Sequence, residues 1–348
     1  MNELTRLIHK EIRQNGVISF EQFMEHALYE PGLGYYETQR EVGRKGDFIT
    51  SVSVGKLFGE LLAFQFAQWL EVIDGSIQLV EAGAHNGLLF CDILNTLKQW
   101  HPTVYERFSV IIVEPSKQHH QWQAETLAEH ERKVEWHCEF PRELRGVFFC
   151  NELLDAFPVQ RLGWDAKGKT WFEWGVASDG DRFVWRRMEN LPIQFGFEEG
   201  LLDGYVTVLS TRSRYFWGRV SNALLQGRIM AFDYGLEADA FFVPPRKDGT
   251  LRAYYRHQIV DDLLAQVAEQ DLTASVNFTA IRNVGESAGL ESEPMLTQEQ
   301  FLMDVFEKTL KQPDRFPEWT AKRRRQFQTL VHPEHLGRQF QVLQQVKD

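Results

Sequence analysis

Residues 77–90 read IQLVEAGAHNGLLF: an apolar run that ends in Glu81, turns through two glycines and re-enters an apolar segment. Ile77 to Val80 has the length and composition of a buried strand, and LLFCDILNTLKQW from Leu88 has helical spacing. Gly83 and Gly87 bracket Ala84, His85 and Asn86. The turn is either a cofactor loop with side chains in its middle or an ordinary strand–turn–helix connection.

Moving outward, SVIIVEP, VEWHC, GVFFCNE and GRIMAFDYG repeat the pattern of a short apolar run closed by polar residues. Helical patterns follow IQLVEAG and SVIIVEP, and a helical stretch, TRSRYFWGRVSNALLQ, precedes GRIMAFDYG. Strands alternating with helices predict βαβ units and a mainly parallel sheet, an α/β fold. VQRLGW, TWFEWGV and RFVWRRM, with turns at Lys167-Gly168 and Asp179-Gly180, predict a β-meander decorating that sheet.

The organisation expected from this pattern has five pieces. Residues 1–75 form a helical segment with a glycine-rich loop, in which Ser19 caps the second helix. Residues 76–158 and 205–290 form the α/β core, residues 159–204 a β-rich insertion, and residues 291–348 a helical segment packed on the core.

Composition narrows the function classes. A formal net charge of −11 lacks the basic face of a general nucleic-acid binder and suits a cationic partner. Cys91, Cys138 and Cys150 are widely spaced beside apolar runs and are expected to be buried, reduced thiols. The opening residues, MNELTRLIHKEIRQNG, lack the apolar centre of a secretory signal, and no run approaches the length of a membrane span. The expectation is a cytoplasmic protein, with the 159–190 strands available to a homodimer or another partner.

Open parallel sheets bind ligands outside the carboxyl ends of their strands. Here those ends carry Glu81, Glu114, Asn151-Glu152 and Asp233-Tyr234. An acid closing the second strand is where a ribose diol finds its acceptor in nucleotide-binding sheets. Glutamate at the first strand end fits the positive sulfonium and ammonium groups of S-adenosylmethionine better than a dinucleotide phosphate. Polar strand ends also arise simply because they reach water.

Longer stretches are more specific. ISFEQFMEHALYEPGLGYY, GRKGDFITS, FGELLAFQFAQWL, NELLDAFPV, RIMAFDYG, GTLRAYYRHQ, DLTASVNF and HLGRQFQVL occur in that order across nearly the whole chain. Together they resemble the MidA-like methyltransferases, relatives of the mitochondrial complex I assembly protein arginine methyltransferase. The resemblance implies a Rossmann-like class I S-adenosylmethionine-dependent core, with the β insertion and the terminal helical additions. It implies that Gly46, Asp47, Phe48 and Thr50 cover the cofactor. Glu81, Gly83 and Gly87 would hold the methionine end, Glu114 would take the ribose, and Asn151 would border the cofactor.

Asn151-Glu152-x-x-Asp155 then lies where the methyl group emerges. A guanidinium presents a planar fork of donors and stays protonated, so Glu152 and Asp155 suit it as orienting carboxylates. Asp233 and Tyr234 are the expected substrate-side walls. The expected partner is a protein with an exposed basic residue.

The chain departs from the family pattern at Ala84 and His85 in the first loop, at Val52 and Ser53 after GDFIT, and at Ser275 and Asn277. These departures leave two alternatives: a decayed methyltransferase fold serving as a binding or assembly module, or a methyltransferase acting on a small molecule. His332 with His335, and His119 with His120, lack companion ligands and read as ordinary helix or surface residues, so no metal is expected.

Overall fold

Strand β1 (Ile77–Ala82) is buried along nearly its whole length, as a strand covered on both faces must be. The computed structural model describes residues 1–40, 50–256 and 258–348. Gly46, Asp47 and Phe48 lie outside the described residues. The chain divides into two compact units: Met1–Gln39 with Asp155–Tyr215 and Leu236–Thr279, and Arg40–Leu154 with Phe216–Gly235 and Ala280–Asp348.

The second of these units carries the sheet. Its remaining main strands are β2 (Phe108–Val113), β3 (Val134–His137), β4 (Leu144–Asn151), β5 (Leu224–Leu236) and β6 (Phe340–Lys347). They lie in the order β6-β5-β4-β1-β2-β3. Every neighbouring pair is parallel except β5 with β6. The chain steps outward from β1 through β2 to β3, then returns to β4 on the other side of β1. That reversal makes the carboxyl end of β1 a topological switch point, where such sheets open a crevice.

Register follows from the apolar runs. Ala82 pairs with Val113 on one side and Cys150 on the other, so Gly83, Glu114 and Asn151 are the next residues out along one edge. Ile77, Leu79 and Val80 are fully buried, each contributing ~1.5–3 kcal/mol by leaving water. The helix Leu57–Glu71, buried almost all round, shares one apolar cluster with Ile77 and Leu79. Its polar residues are satisfied from other helices: Arg323 donates to both oxygens of Glu60 at 2.8 and 2.9 Å, and Lys308 donates to Gln65 at 2.9 Å.

The other unit holds the expected meander, Gln160–Asp165, Thr170–Asp179 and Arg182–Leu191, paired antiparallel. Helix Phe20–Tyr29 starts as the sequence predicts. Ser19 accepts from Gln22 N at 3.1 Å while Gln22 Oε1 accepts from Ser19 N at 3.0 Å, a reciprocal cap worth about 1 kcal/mol. Among the described residues no helix is long and apolar enough to cross a membrane.

Two expectations change. The C-terminal segment does not stay helical: FQVLQQVK forms β6, because pairing with β5 buries Phe340, Val342 and Leu343 and shelters the backbone. Cys150 is buried, but Cys91 is half-buried and Cys138 exposed, since Cys138 follows the end of edge strand β3.

Candidate functional site

Glu81 is 2% exposed. Burial holds its carboxyl well above the usual carboxylate range. Its Oε2 meets no hydrogen-bond partner among the described residues. Asn151, at the end of the adjacent strand, likewise has a buried Oδ1 without a partner, while its Nδ2 donates to Glu152 Oε1 at 3.0 Å. Buried acceptors of this kind cost ~1–3 kcal/mol each unless a donor arrives.

The turn after β1 is shaped for close approach. Gly83 has φ +71°, and a Cβ there would meet Leu153 Cδ1 at 2.7 Å; Gly87 has φ +79°, with Gln123 Cα at 3.3 Å from its would-be Cβ. His85 also adopts positive φ, +47°, a conformation that favours glycine. Its ring turns toward the helix Lys117–Thr126, 5.3 Å from His119 and 5.7 Å from Trp122 by ring centroids. Its carbonyl accepts from Gln123 Nε2 at 3.0 Å. The imidazole at the family's glycine position is thus folded against that helix.

Glu114, immediately after β2, is buried. Ser116 caps the following helix by accepting from His119 N at 3.2 Å, and its own N–H donates to Glu114 Oε1 at 2.9 Å. The cap aims the first helical turn back at the acid. His119 Nδ1 lies 3.0 Å and Gln123 Nε2 3.3 Å from Glu114 Oε2, and His120 Nε2 donates to the Glu114 carbonyl at 2.7 Å.

Glu152 follows β4 with φ +51°, a strained conformation for a residue with a side chain. The strain is held from several sides. Glu152 N donates to Phe232 O at 2.9 Å, and Asp233 Oδ2 accepts from Leu153 N at 3.1 Å and Leu154 N at 2.7 Å. Asp233 is fully buried and also accepts from Tyr234 N at 2.8 Å. It anchors the Glu152 turn from within. Tyr234 meets Phe340 in a tilted ring contact, centroids 4.0 Å apart. No helix follows Asn151, so Glu152 caps nothing.

Thr50 and Ser53 close a local turn: each backbone N–H donates to the other's hydroxyl at 3.1 Å. Ser53 therefore has a backbone task of its own. Asp155 belongs to the other unit. There its carbonyl accepts from Ala274 N at 2.9 Å; its negative charge, with that of Asp271, helps to push the Tyr36 hydroxyl up, after the larger effect of burial. Tyr36 donates to Asp271 Oδ1 at 2.8 Å. The sheet edge thus brings together Glu81, Gly83, Gly87, Glu114, Asn151, Glu152, Asp233 and Tyr234.

Residues 61–295 match the family described as "Putative S-adenosyl-L-methionine-dependent methyltransferase". The chain belongs to this family. It is the MidA-like group of S-adenosylmethionine-dependent methyltransferases that the motifs resemble. The mouse mitochondrial protein arginine methyltransferase NDUFAF7 is 29% identical over 97% of this chain and 82% of its own length. Its Caenorhabditis elegans homologue, also mitochondrial, is 30% identical over 80% of this chain and 70% of its own. A Burkholderia thailandensis protein solved with bound S-adenosyl-homocysteine superposes with a TM-score of 0.83 at 26% identity, covering 99% of this chain and 92% of that one.

The cofactor is S-adenosylmethionine, and the residues present fit it. Glu81 Oε2 and Asn151 Oδ1, buried and without donors among the described residues, match a group that carries an ammonium. Glycine at positions 83 and 87 lets the turn pack closely on Leu153 and Gln123 beside these acceptors. The relatives' names correct the cytoplasmic expectation: both are mitochondrial. That expectation rested on the lack of an apolar targeting centre, which amphipathic mitochondrial leaders do not need.

Gln123 and the role of His119 escaped the sequence reading. Both lie on a helix of weak apolar pattern, KQHHQWQAET. Ser116 with an acid two residues before it was the one available signal.

Proposed function

We propose that this methyltransferase modifies a guanidinium nitrogen of an arginine in a protein partner. The observation that carries the reading is Glu152: a carboxylate held at φ +51° at the carboxyl edge of the sheet, next to the two unpartnered acceptors. Strain of this kind persists only where the surroundings enforce it, and it concentrates at functional sites. The names of the relatives and the net charge of −11 support a cationic protein substrate.

When bound, S-adenosylmethionine supplies an electrophilic methyl group on a sulfonium. The chain's own residues do the rest by placement. Glu81 and the Gly83–Gly87 turn receive the methionine end, and Glu114 the ribose. Asn151 steadies the Glu152 carboxylate, which accepts two guanidinium donors and fixes the direction of the third nitrogen. Orientation alone supplies much of the acceleration in such a transfer. Asp233 maintains the Glu152 turn, and Tyr234 lines the wall beside it.

The test is methyl transfer from labelled S-adenosylmethionine to a protein extract of the source cells, followed by acid hydrolysis. Label in methylated arginine supports the reading. Label confined to lysine or to small molecules refutes it.

A further inference from the structure

Gln123 is fully buried inside a hydrophilic helix, and all of its side-chain polar atoms are engaged. Its Nε2 donates to the His85 carbonyl at 3.0 Å and lies 3.3 Å from Glu114 Oε2, while Oε1 accepts from Trp136 Nε1 at 2.9 Å. One amide therefore ties the turn after β1, the acid after β2 and strand β3 into a single frame. His119 completes it. Its Nδ1 holds Glu114 Oε2 at 3.0 Å, and its ring stacks on Trp122 at 5.0 Å and meets His85 at 5.3 Å.

A carboxylate has about four acceptor sites. Among the described residues Oε2 of Glu114 takes His119 and Gln123, while Oε1 takes only the Ser116 N–H. Acceptor capacity thus remains on Oε1 for an incoming hydroxyl. The frame also explains how a residue with a side chain serves in the turn. The positive φ of His85 is held by the Gln123 bond to its carbonyl and by ring contacts with His119 and Trp122.

We propose that Gln123 and His119 are positioning residues for the cofactor ribose, acting through Glu114 and the His85 turn, and that ring contacts of His85 with the stacked His119 and Trp122 replace the glycine at position 85. The proposal rests on Glu114 as the ribose acceptor. It predicts that restoring glycine at His85 weakens cofactor binding, because the brace is lost and the turn gains freedom it must surrender on binding.

Calorimetric titration of the full chain with S-adenosylhomocysteine, and with its 2′-deoxy and 3′-deoxy analogues, tests it. The wild type should reject at least one analogue. Gln123→Met, which keeps length and bulk but removes the donors, should raise Kd for S-adenosylhomocysteine about tenfold and erase that discrimination. His119→Phe keeps the ring stack and should do the same, so the result survives if Gln123→Met fails to fold. His85→Gly should bind more weakly than wild type. A merely structural role would lower the melting temperature without changing the ratio between cofactor and analogue.

Wild-type affinity and discrimination in both Gln123→Met and His119→Phe would overturn the proposal, as would tighter binding by His85→Gly. Failure of the underlying reading looks different: Glu114→Gln would bind S-adenosylhomocysteine like the wild type, and the wild type would ignore the loss of either hydroxyl.

Discussion

Replacing Gly83 by alanine separates two costs that the turn after β1 combines. The backbone at φ +71° charges a residue with a Cβ ~1–2 kcal/mol. The new methyl would also stand 2.7 Å from Leu153 Cδ1, 3.3 Å from its Cγ and 3.4 Å from its Cβ, so the whole side chain must move, not only its tip. Overpacking of that kind adds ~1–3 kcal/mol. Gly75 provides the control: it lies just before β1 at φ +83°, with nothing within 4 Å of its would-be Cβ. Gly75→Ala should lose only the backbone term, and Gly83→Ala about 2–5 kcal/mol in all. Urea unfolding followed by tryptophan fluorescence and circular dichroism reads the difference. Leu153 N is bonded to Asp233, so displacement also disturbs the Glu152 turn, and Gly83→Ala should weaken S-adenosylhomocysteine binding where Gly75→Ala does not. Equal destabilisation by the two substitutions, within about 0.5 kcal/mol, would refute the steric reasoning.

Two further expectations concern charge. Burial raises the Glu81 pKa in the folded state, so the folded chain holds this proton more tightly than the unfolded one. Its contribution to stability is therefore lost as pH climbs from the ordinary glutamate value, ~4.3, through the raised one. Glu81→Gln should flatten that slope in thermal melts of the cofactor-free protein, and should abolish any proton release on S-adenosylhomocysteine binding, read as a buffer-dependent heat. Burial, reinforced by Glu60 and opposed by Lys56, pushes Asp92 up to about 6. Asp92→Asn should accordingly raise stability by up to ~3 kcal/mol above pH 6 and by nothing below pH 3; a pH-independent effect would show that packing, not charge, sets the cost.

The fold was legible where residues declare their neighbours locally. IQLVEAG, SVIIVEP and GVFFCNE are apolar runs ended by polar residues, and they became adjacent parallel strands with Glu81, Glu114 and Asn151 at one edge. Ser19 and Gln22 announced a helix start that the hydrogen bonds reproduce. Strand β6 was hidden because FQVLQQVK carries glutamines at positions a buried strand seldom offers. Gln345 is buried all the same, with its amide bonded to Trp217 and Ser292, partners that only the tertiary arrangement brings near. His85 was misleading for a related reason. Sequence marks it as a side chain where glycine belongs, yet its ring direction depends on His119 and Trp122, more than thirty residues away.

In the function proposed, Glu152 orients a guanidinium at the sheet edge while other residues hold the cofactor. The most direct measurement is single-turnover methyl transfer to an arginine-bearing protein substrate by Glu152→Gln, alongside calorimetry with S-adenosylhomocysteine. Transfer should slow by roughly a hundredfold, the scale of a misplaced reactant, with cofactor Kd within about twofold of wild type. Equal loss of transfer and of cofactor affinity, or unchanged transfer to arginine, would contradict it.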